Sequence, residues 1–159
     1  MIVTALEHSA VTKLAETRNC AQATFFALDQ HFDLGGDTVL RALVAFPGIA
    51  LRGDTCGAVT GAMMALGLVF APDTADDDAA VLAAYAPARE LCQRLENRHG
   101  SMRCADLLEG HIGRPIDFTS AEDLEFYRSS GGPEACAAIV IAAVQIAAEI
   151  IERDRAGHE

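Results

Sequence analysis

The fold class is decided by Arg52–Phe70, which reads RGDTCGAVTGAMMALGLVF. Its small and apolar residues predict a helix in which Gly57 and Gly61 lie one turn apart and Ala65 continues the same row. Each glycine costs such a helix about 1 kcal/mol relative to alanine, so packing or function must offset that cost. The row therefore predicts that another backbone or a bulky ligand approaches this helix closely.

Cys56 is predicted to lie in the first turn of this helix. Asp54 or Thr55 is the expected N-cap, since the side-chain oxygen of either residue can accept from the free N–H groups of the first turn. Those N–H groups and the positive end of the helix dipole favour a thiolate and lower the pKa of a nearby thiol. The stretch is therefore typical of a reactive or ligating cysteine.

The composition predicts one all-α domain over residues 1–159. The chain is 51% hydrophobic and 6% aromatic, with no Trp. Its β-branched residues do not alternate with polar residues over any long run, which disfavours strands. A chain of this length can bury a substantial core. We expect a bundle of six to eight helices, with the central and C-terminal helices in the core.

The charge of the chain argues against binding to nucleic acid. The net charge is −11 and the pI is about 4.7, so the surface repels phosphate backbones and suits a basic partner. Ala71–Asp78 reads as an acidic loop. The longest apolar run, Ala135–Val144, is too short to span a bilayer, and Met1–Ala10 lacks a basic leader region. We expect a cytoplasmic protein, with self-association through the apolar final helix as a dimer.

Four of the five cysteines share one local context. Each follows a break in the chain and lies in the first turn of a predicted helix: Cys20, Cys56, Cys104 and Cys136. Cys92 instead lies deep within a predicted helix, Ala79–Arg98. If the four helix starts converge, their N–H groups and thiols would stabilise an anionic centre such as an iron–sulfur cluster. We therefore expect four sulfurs at one site, with Cys92 outside it.

Packing alone offers a second interpretation of these cysteines, because cysteine is among the most buried residue types. The chain contains neither a C-x-x-C pair nor a zinc-finger spacing. A reducing compartment also disfavours a disulfide framework. The local context of the cysteines thus leaves buried thiols, a metal site and redox chemistry open.

The segment Cys56–Gly61 reads CGAVTG and matches the pattern CGAxxG. With one cysteine before this motif and two after it, the chain resembles the C-GCAxxG-C-C family of redox-active proteins. The resemblance runs from about Asn19 to the final helix. It implies redox activity through the four cysteines Cys20, Cys56, Cys104 and Cys136.

The same resemblance implies a cofactor. A similar module in split-Soret cytochromes is associated with an iron–sulfur centre, which implies that the four cysteines bind such a cluster here. The chain departs from the common pattern at Pro47-Gly48, where a glycine-rich stretch is usual, and it carries the additional Cys92. It has no C-x-x-C-H haem signature, so the resemblance does not extend to haem.

Three functions remain open on the sequence. The first is electron transfer through a cysteine-bound iron–sulfur cluster, to a redox partner protein that the sequence does not identify. The second is metal-free thiol–disulfide chemistry, whether or not the protein is an enzyme, although the C-x-x-C motif that usually performs it is missing. The third is a structural adaptor with zinc at the same four thiolates. No phosphate loop, dinucleotide fingerprint or serine-nucleophile motif is present, and no catalytic residue is assigned.

Overall fold

The computed structural model describes the backbone of residues 2–74 and 77–157 and the side chains of residues 5–74 and 77–157. These residues form eight right-handed α-helices and no strand. The helices are α1 (Ile2–Thr17), α2 (Cys20–Phe32), α3 (Asp37–Ala42), α4 (Gly57–Phe70), α5 (Asp78–His99), α6 (Cys104–Ile112), α7 (Ala121–Ser129) and α8 (Gly132–Gly157). A 3-10 turn, Leu43–Ala45, follows α3. The prediction of an all-α bundle with six to eight helices is confirmed.

The C-terminal helix α8 lies at the centre of the core. Helices α1, α2 and α4 to α7 all pack against it, and twelve of its residues are buried. Helix α4 is buried along the side that faces α2 and α8, where Val59, Ala62 and Leu66 have almost no exposed surface. The expectation that the central and C-terminal helices form the core is confirmed.

Helix α8 is long and apolar enough to cross a bilayer by length and composition alone. Within its most apolar 18-residue window, however, 61% of the helix is buried inside the protein. Neighbouring helices therefore already cover much of the apolar surface that suggested self-association. The dimer stays a prediction.

Helices α2 and α4 approach each other through the row of small residues. A Cβ atom on Gly61 would lie 2.3 Å from the carbonyl oxygen of Ala21, which is far inside van der Waals contact. Ala65, next in the row, has no exposed surface. The glycines are therefore required because the backbone of α2 occupies the space where their side chains would be. Of the two predicted partners, another backbone or a bulky ligand, the backbone is the one found at Gly61.

Polar caps fix the starts of several helices. Asn19 caps α2, as its side-chain oxygen accepts from the N–H of Gln22 at 3.0 Å. Asp77 caps α5 by accepting from the N–H groups of Ala79 and Ala80 at 3.1 Å. Of the predicted acidic loop, Ala75 and Asp76 lie outside the described residues.

The segment Gly48–Leu51, before α4, is a turn of left-handed helix. Its four residues have φ values between 47° and 61°, and only the first is glycine. Left-handed backbone costs a non-glycine residue roughly 1–2 kcal/mol, so Ile49, Ala50 and Leu51 are strained. Hydrogen bonds from Leu51 N–H to the Pro47 carbonyl (2.8 Å) and from Arg52 N–H to the Gly48 carbonyl (3.0 Å) close the turn.

Candidate functional site

The four cysteines of the predicted site lie at or near the starts of four helices. Cys20 and Cys104 are the first residues of α2 and α6. Cys56 is the N-cap residue of α4, so the prediction that Asp54 or Thr55 caps this helix is wrong. Cys136 is the fifth residue of α8, just beyond the first turn in which it was predicted. Both differences arise because α4 begins one residue after Cys56 and α8 already begins at Gly132.

Backbone hydrogen bonds hold the Cys56 and Cys104 segments side by side. The N–H of Cys56 donates to the carbonyl of Met102 at 2.8 Å, and the N–H of Cys104 donates to the carbonyl of Asp54 at 2.7 Å. Thr55 and Arg103 form an isolated antiparallel bridge at this point. The loops before α4 and α6 therefore behave as one two-stranded unit that sets the separation of their cysteines.

Cys20 lies against the start of α4. Its thiol forms a hydrogen bond with the thiol of Cys56 and a second one with the backbone of Gly57. A Cβ atom on Gly57 would lie 2.5 Å from Cys20 Sγ and 3.1 Å from the Cα of Pro47. The first glycine of the CGAxxG motif thus leaves room for a sulfur atom, which the sequence did not indicate.

The left-handed turn lies against Cys104. A Cβ atom on Gly48 would stand 3.4 Å from Cys104 Cβ and 3.5 Å from Cys104 Sγ, so the backbone of the turn lies beside this side chain. The Gly48 carbonyl also accepts from the N–H of Asp54 at 3.1 Å. The Pro47-Gly48 pair, which departs from the usual glycine-rich pattern, therefore belongs to the wall of the site.

Tyr127 of α7 completes the site from another side. Its hydroxyl donates a hydrogen bond to Cys136 Sγ at 3.3 Å. Its ring meets the ring of Phe118 edge to face, with 5.4 Å between centroids. Both aromatic residues pack with Cys104 and Cys136 on a small secondary core around Leu108. Sequence reasoning missed Tyr127, because nothing local distinguishes it from a packing residue.

The protonated form is favoured for three thiols of this site, those of Cys20, Cys104 and Cys136. The pKa of Cys20 is raised well above its usual value by the hydrogen bond to Cys56 and then by burial. Burial, followed by the nearby Cys20 and Cys136 thiols, raises the pKa of Cys104 to about 12. Burial also raises the pKa of Cys136 to about 11, with the Tyr127 hydroxyl acting in the opposite direction. Burial raises the pKa of all three thiols and so opposes the lowering that a helix start favours.

The interactions among these thiols connect all four cysteines through Cys20. Cys20 hydrogen-bonds Cys56, and its proximity raises the pKa of both Cys104 and Cys136. Cys92 behaves differently: burial and then the charge of Glu96 raise its pKa, and no other cysteine contributes. It lines a shallow groove of about 270 Å³ with Met63 and Tyr85.

The cysteine thiols are the side chains at this site that could hold a metal or a cluster. Among residues 2–74 and 77–157, no group of three or more His, Cys, Asp or Glu side chains is arranged to hold one metal ion. A zinc ion requires each sulfur about 2.3 Å from one centre. Iron–sulfur clusters spread four thiolates over two or more irons, and their ligands are cysteine sulfurs. Cysteine sulfur is the ligand type that such clusters use, and the assignment of the four cysteines as ligands stays a prediction.

Comparison with known proteins gives one match. The model of the family described as "Putative redox-active protein (C_GCAxxG_C_C)" matches residues 18–150, which include all five cysteines. No curated protein and no solved structure matches the chain.

Proposed function

Because the chain belongs to the C_GCAxxG_C_C family of redox-active proteins, we propose that it transfers electrons at a site formed by Cys20, Cys56, Cys104 and Cys136. One observation carries this proposal: Cys20 hydrogen-bonds Cys56 and lies near enough to Cys104 and Cys136 to raise the pKa of both, although the four residues come from separate segments. A single disulfide would need only two of them. The arrangement therefore favours a centre that uses all four sulfurs.

The proposed cofactor is an iron–sulfur cluster held by the same four cysteines. Such a cluster would supply one-electron oxidation and reduction. The residues around it would exclude water, since Cys56 is only 5% exposed and Leu107 and Leu108 are buried beside Cys104. The backbone of Gly57, which hydrogen-bonds the Cys20 sulfur, would stabilise negative charge there. A cytoplasmic setting and a redox partner protein belong to this proposal, since reducing conditions keep such thiols free.

A second candidate rests on the Cys20–Cys56 hydrogen bond alone. Two thiols in contact can form a disulfide, losing two protons and two electrons to the disulfide of a partner protein, which becomes a dithiol. The raised pKa of Cys20 works against rapid exchange at neutral pH, because the thiolate is the nucleophile. This candidate would leave Cys104 and Cys136 without a shared role.

Anaerobic purification followed by iron, zinc and acid-labile sulfide analysis tests the first candidate. Iron with a similar amount of sulfide is the expected result. Thiol loss on mild oxidation without bound metal would select the disulfide candidate instead. Zinc in stoichiometric amount, with no sulfide, would point to the structural adaptor, although zinc can also replace iron during expression.

Single cysteine variants test which residues hold the cofactor. Changing any one of Cys20, Cys56, Cys104 or Cys136 to serine should lower retained iron and sulfide. Cys92→Ser is the matched control, because Cys92 lies in a groove on α5. This variant should keep its iron and sulfide, and its free energy of unfolding should fall by no more than about 1 kcal/mol through lost packing. Full iron retention in Cys104→Ser and Cys136→Ser would contradict the four-cysteine site.

A further inference from the structure

The hydroxyl of Tyr127 contacts the cysteine site from α7, a helix that contributes no cysteine. It donates to Cys136 Sγ at 3.3 Å. Burial, and then the charge and hydrogen bond of Cys136, raise the pKa of Tyr127, so the hydroxyl keeps its proton at neutral pH. A neutral phenol beside a sulfur can act only as a donor towards negative charge on that sulfur.

The ring of Tyr127 is held firmly enough to keep this hydrogen bond in place. A Cβ atom on Gly132 would lie 2.1 Å from Cδ2 of the ring, so the ring packs directly against the backbone at the start of α8. Phe118 contacts the ring edge to face. Since Cys136 follows Gly132 by one helical turn, the same helix that supports the ring also carries the sulfur that accepts the bond.

We propose that Tyr127 is a positioning residue of the redox site, whose hydroxyl stabilises the reduced state by donating a hydrogen bond to Cys136 Sγ. This inference rests on the first redox candidate, in which Cys136 is one of the four cysteines that hold the redox centre. Reduction of a cluster would place more negative charge on the cysteine sulfurs that hold it, Cys136 Sγ among them. Hydrogen bonds to charged acceptors are stronger than neutral ones, and hydrogen bonds to sulfur help set cluster potentials.

The substitution Tyr127→Phe tests the inference, because it removes the hydroxyl and keeps the ring. Potentiometric titration of the purified protein should show a more negative reduction potential than in the wild type. We expect roughly a tenfold lower ratio of reduced to oxidised protein at a fixed ambient potential, or about 59 mV for a one-electron couple. Tyr85→Phe is the matched control, since Tyr85 is the only other tyrosine and is 59% exposed in the α5 groove.

A second measurement tests the hydrogen bond in reduced protein without any metal. A double-mutant cycle between Tyr127→Phe and Cys136→Ala, followed by urea unfolding, isolates the pairwise contribution. The coupling should amount to about a fivefold change in the unfolding equilibrium constant, as for an ordinary hydrogen bond. Absence of coupling would mean that the bond contributes nothing, and would overturn the inference.

The outcomes separate the two proposals. A wild-type protein with no measurable redox couple contradicts the proposed function, and this inference with it. A wild-type couple whose potential is unchanged in Tyr127→Phe contradicts the role of Tyr127 alone. An equal shift in Tyr85→Phe also overturns it, because the effect would then not come from the bond to Cys136.

Discussion

Gly57 lies so close to the sulfur of Cys20 that a single added methyl group would stand 2.5 Å from it. The same methyl would lie 2.9 Å from the backbone nitrogen of Ala21. The spacing between α2 and α4 is thus not the only demand on this position, since the glycine also sets how closely Cys20 approaches Cys56.

The substitution Gly57→Ala should therefore destabilise the protein by about 1–3 kcal/mol, as overpacking does in tight cores. It should also lower retained cofactor, because Cys20 must move. Urea unfolding and metal analysis measure the two effects. Gly67→Ala is the matched control in the same helix: its added methyl meets nothing within 4 Å, and alanine should stabilise that position by up to about 1 kcal/mol. Equal effects at both positions would contradict the steric explanation.

In the left-handed turn Gly48–Leu51, we expect the opposite effect: introducing a glycine should stabilise the protein. Ala50 is exposed and has φ of 57°, so Ala50→Gly should relieve strain and stabilise the protein by about 1 kcal/mol. Ala83→Gly is the control, as it places the same substitution in the exposed interior of α5 and should cost about 1 kcal/mol. Thermal or urea unfolding of both variants checks the sign. Destabilisation by Ala50→Gly would show that the turn is not strained.

The thiol pKa values predict how stability depends on pH in the reduced, metal-free protein. Folding raises the pKa of Cys104 from 9.0 to about 12 and that of Cys136 from 9.0 to about 11. The two neutral thiols contribute fully to the free energy of unfolding below pH 9. This contribution is lost as pH rises towards the pKa values of the folded state, because the unfolded chain releases its protons at lower pH. The urea midpoint should therefore fall between pH 8 and pH 10.

A double variant, Cys104→Ala with Cys136→Ala, provides the control for that measurement. It removes both thiols, so its urea midpoint should change less over the same pH interval. A wild-type midpoint that rises or stays constant from pH 8 to pH 10 would contradict the burial of these thiols as neutral groups.

Self-association is tested by sedimentation at several protein concentrations. Leu68 and Tyr85 remain 44% and 59% exposed on α4 and α5, so apolar surface is available outside the covered C-terminal helix. A dimer is the expected species. A monomer at every practical concentration would remove this prediction.

Local sequence signals predicted those parts of the fold that local chemistry controls. The bounds of α2 follow from Asn19 as an N-cap and from the glycines after Phe32, and the close approach to α2 follows from Gly57 and Gly61. The gathering of cysteines at helix starts could also be read from the breaks before them. In each case, residues within a few positions supply the physical reason.

Other features depend on contacts between distant segments and carry no local signal. Ile49 and Ala50 are not residues that favour left-handed backbone, and the two residues before them, Pro47 and Gly48, lie against Gly57 and Cys104 respectively. Tyr127 reaches Cys136 only because α7 and α8 fold back on each other at Gly132. The raised pKa values of Cys104 and Cys136 likewise carry no local signal, since burial is decided by the whole fold.

Thr55 and Arg103 pair in an antiparallel bridge next to Cys56 and Cys104. The distance between these two cysteines therefore does not depend on the number of residues that lie between them in the chain. Helix α4 leads away from the bridge for 14 residues, or roughly 20 Å, before α5 returns. Helices α4 and α5 thus form a hairpin that is connected at one end. At the other end, backbone hydrogen bonds hold the segments before Cys56 and Cys104 together. Relatives of this chain could lengthen that connection, or accept an inserted domain there, while the sulfurs of Cys56 and Cys104 keep their separation.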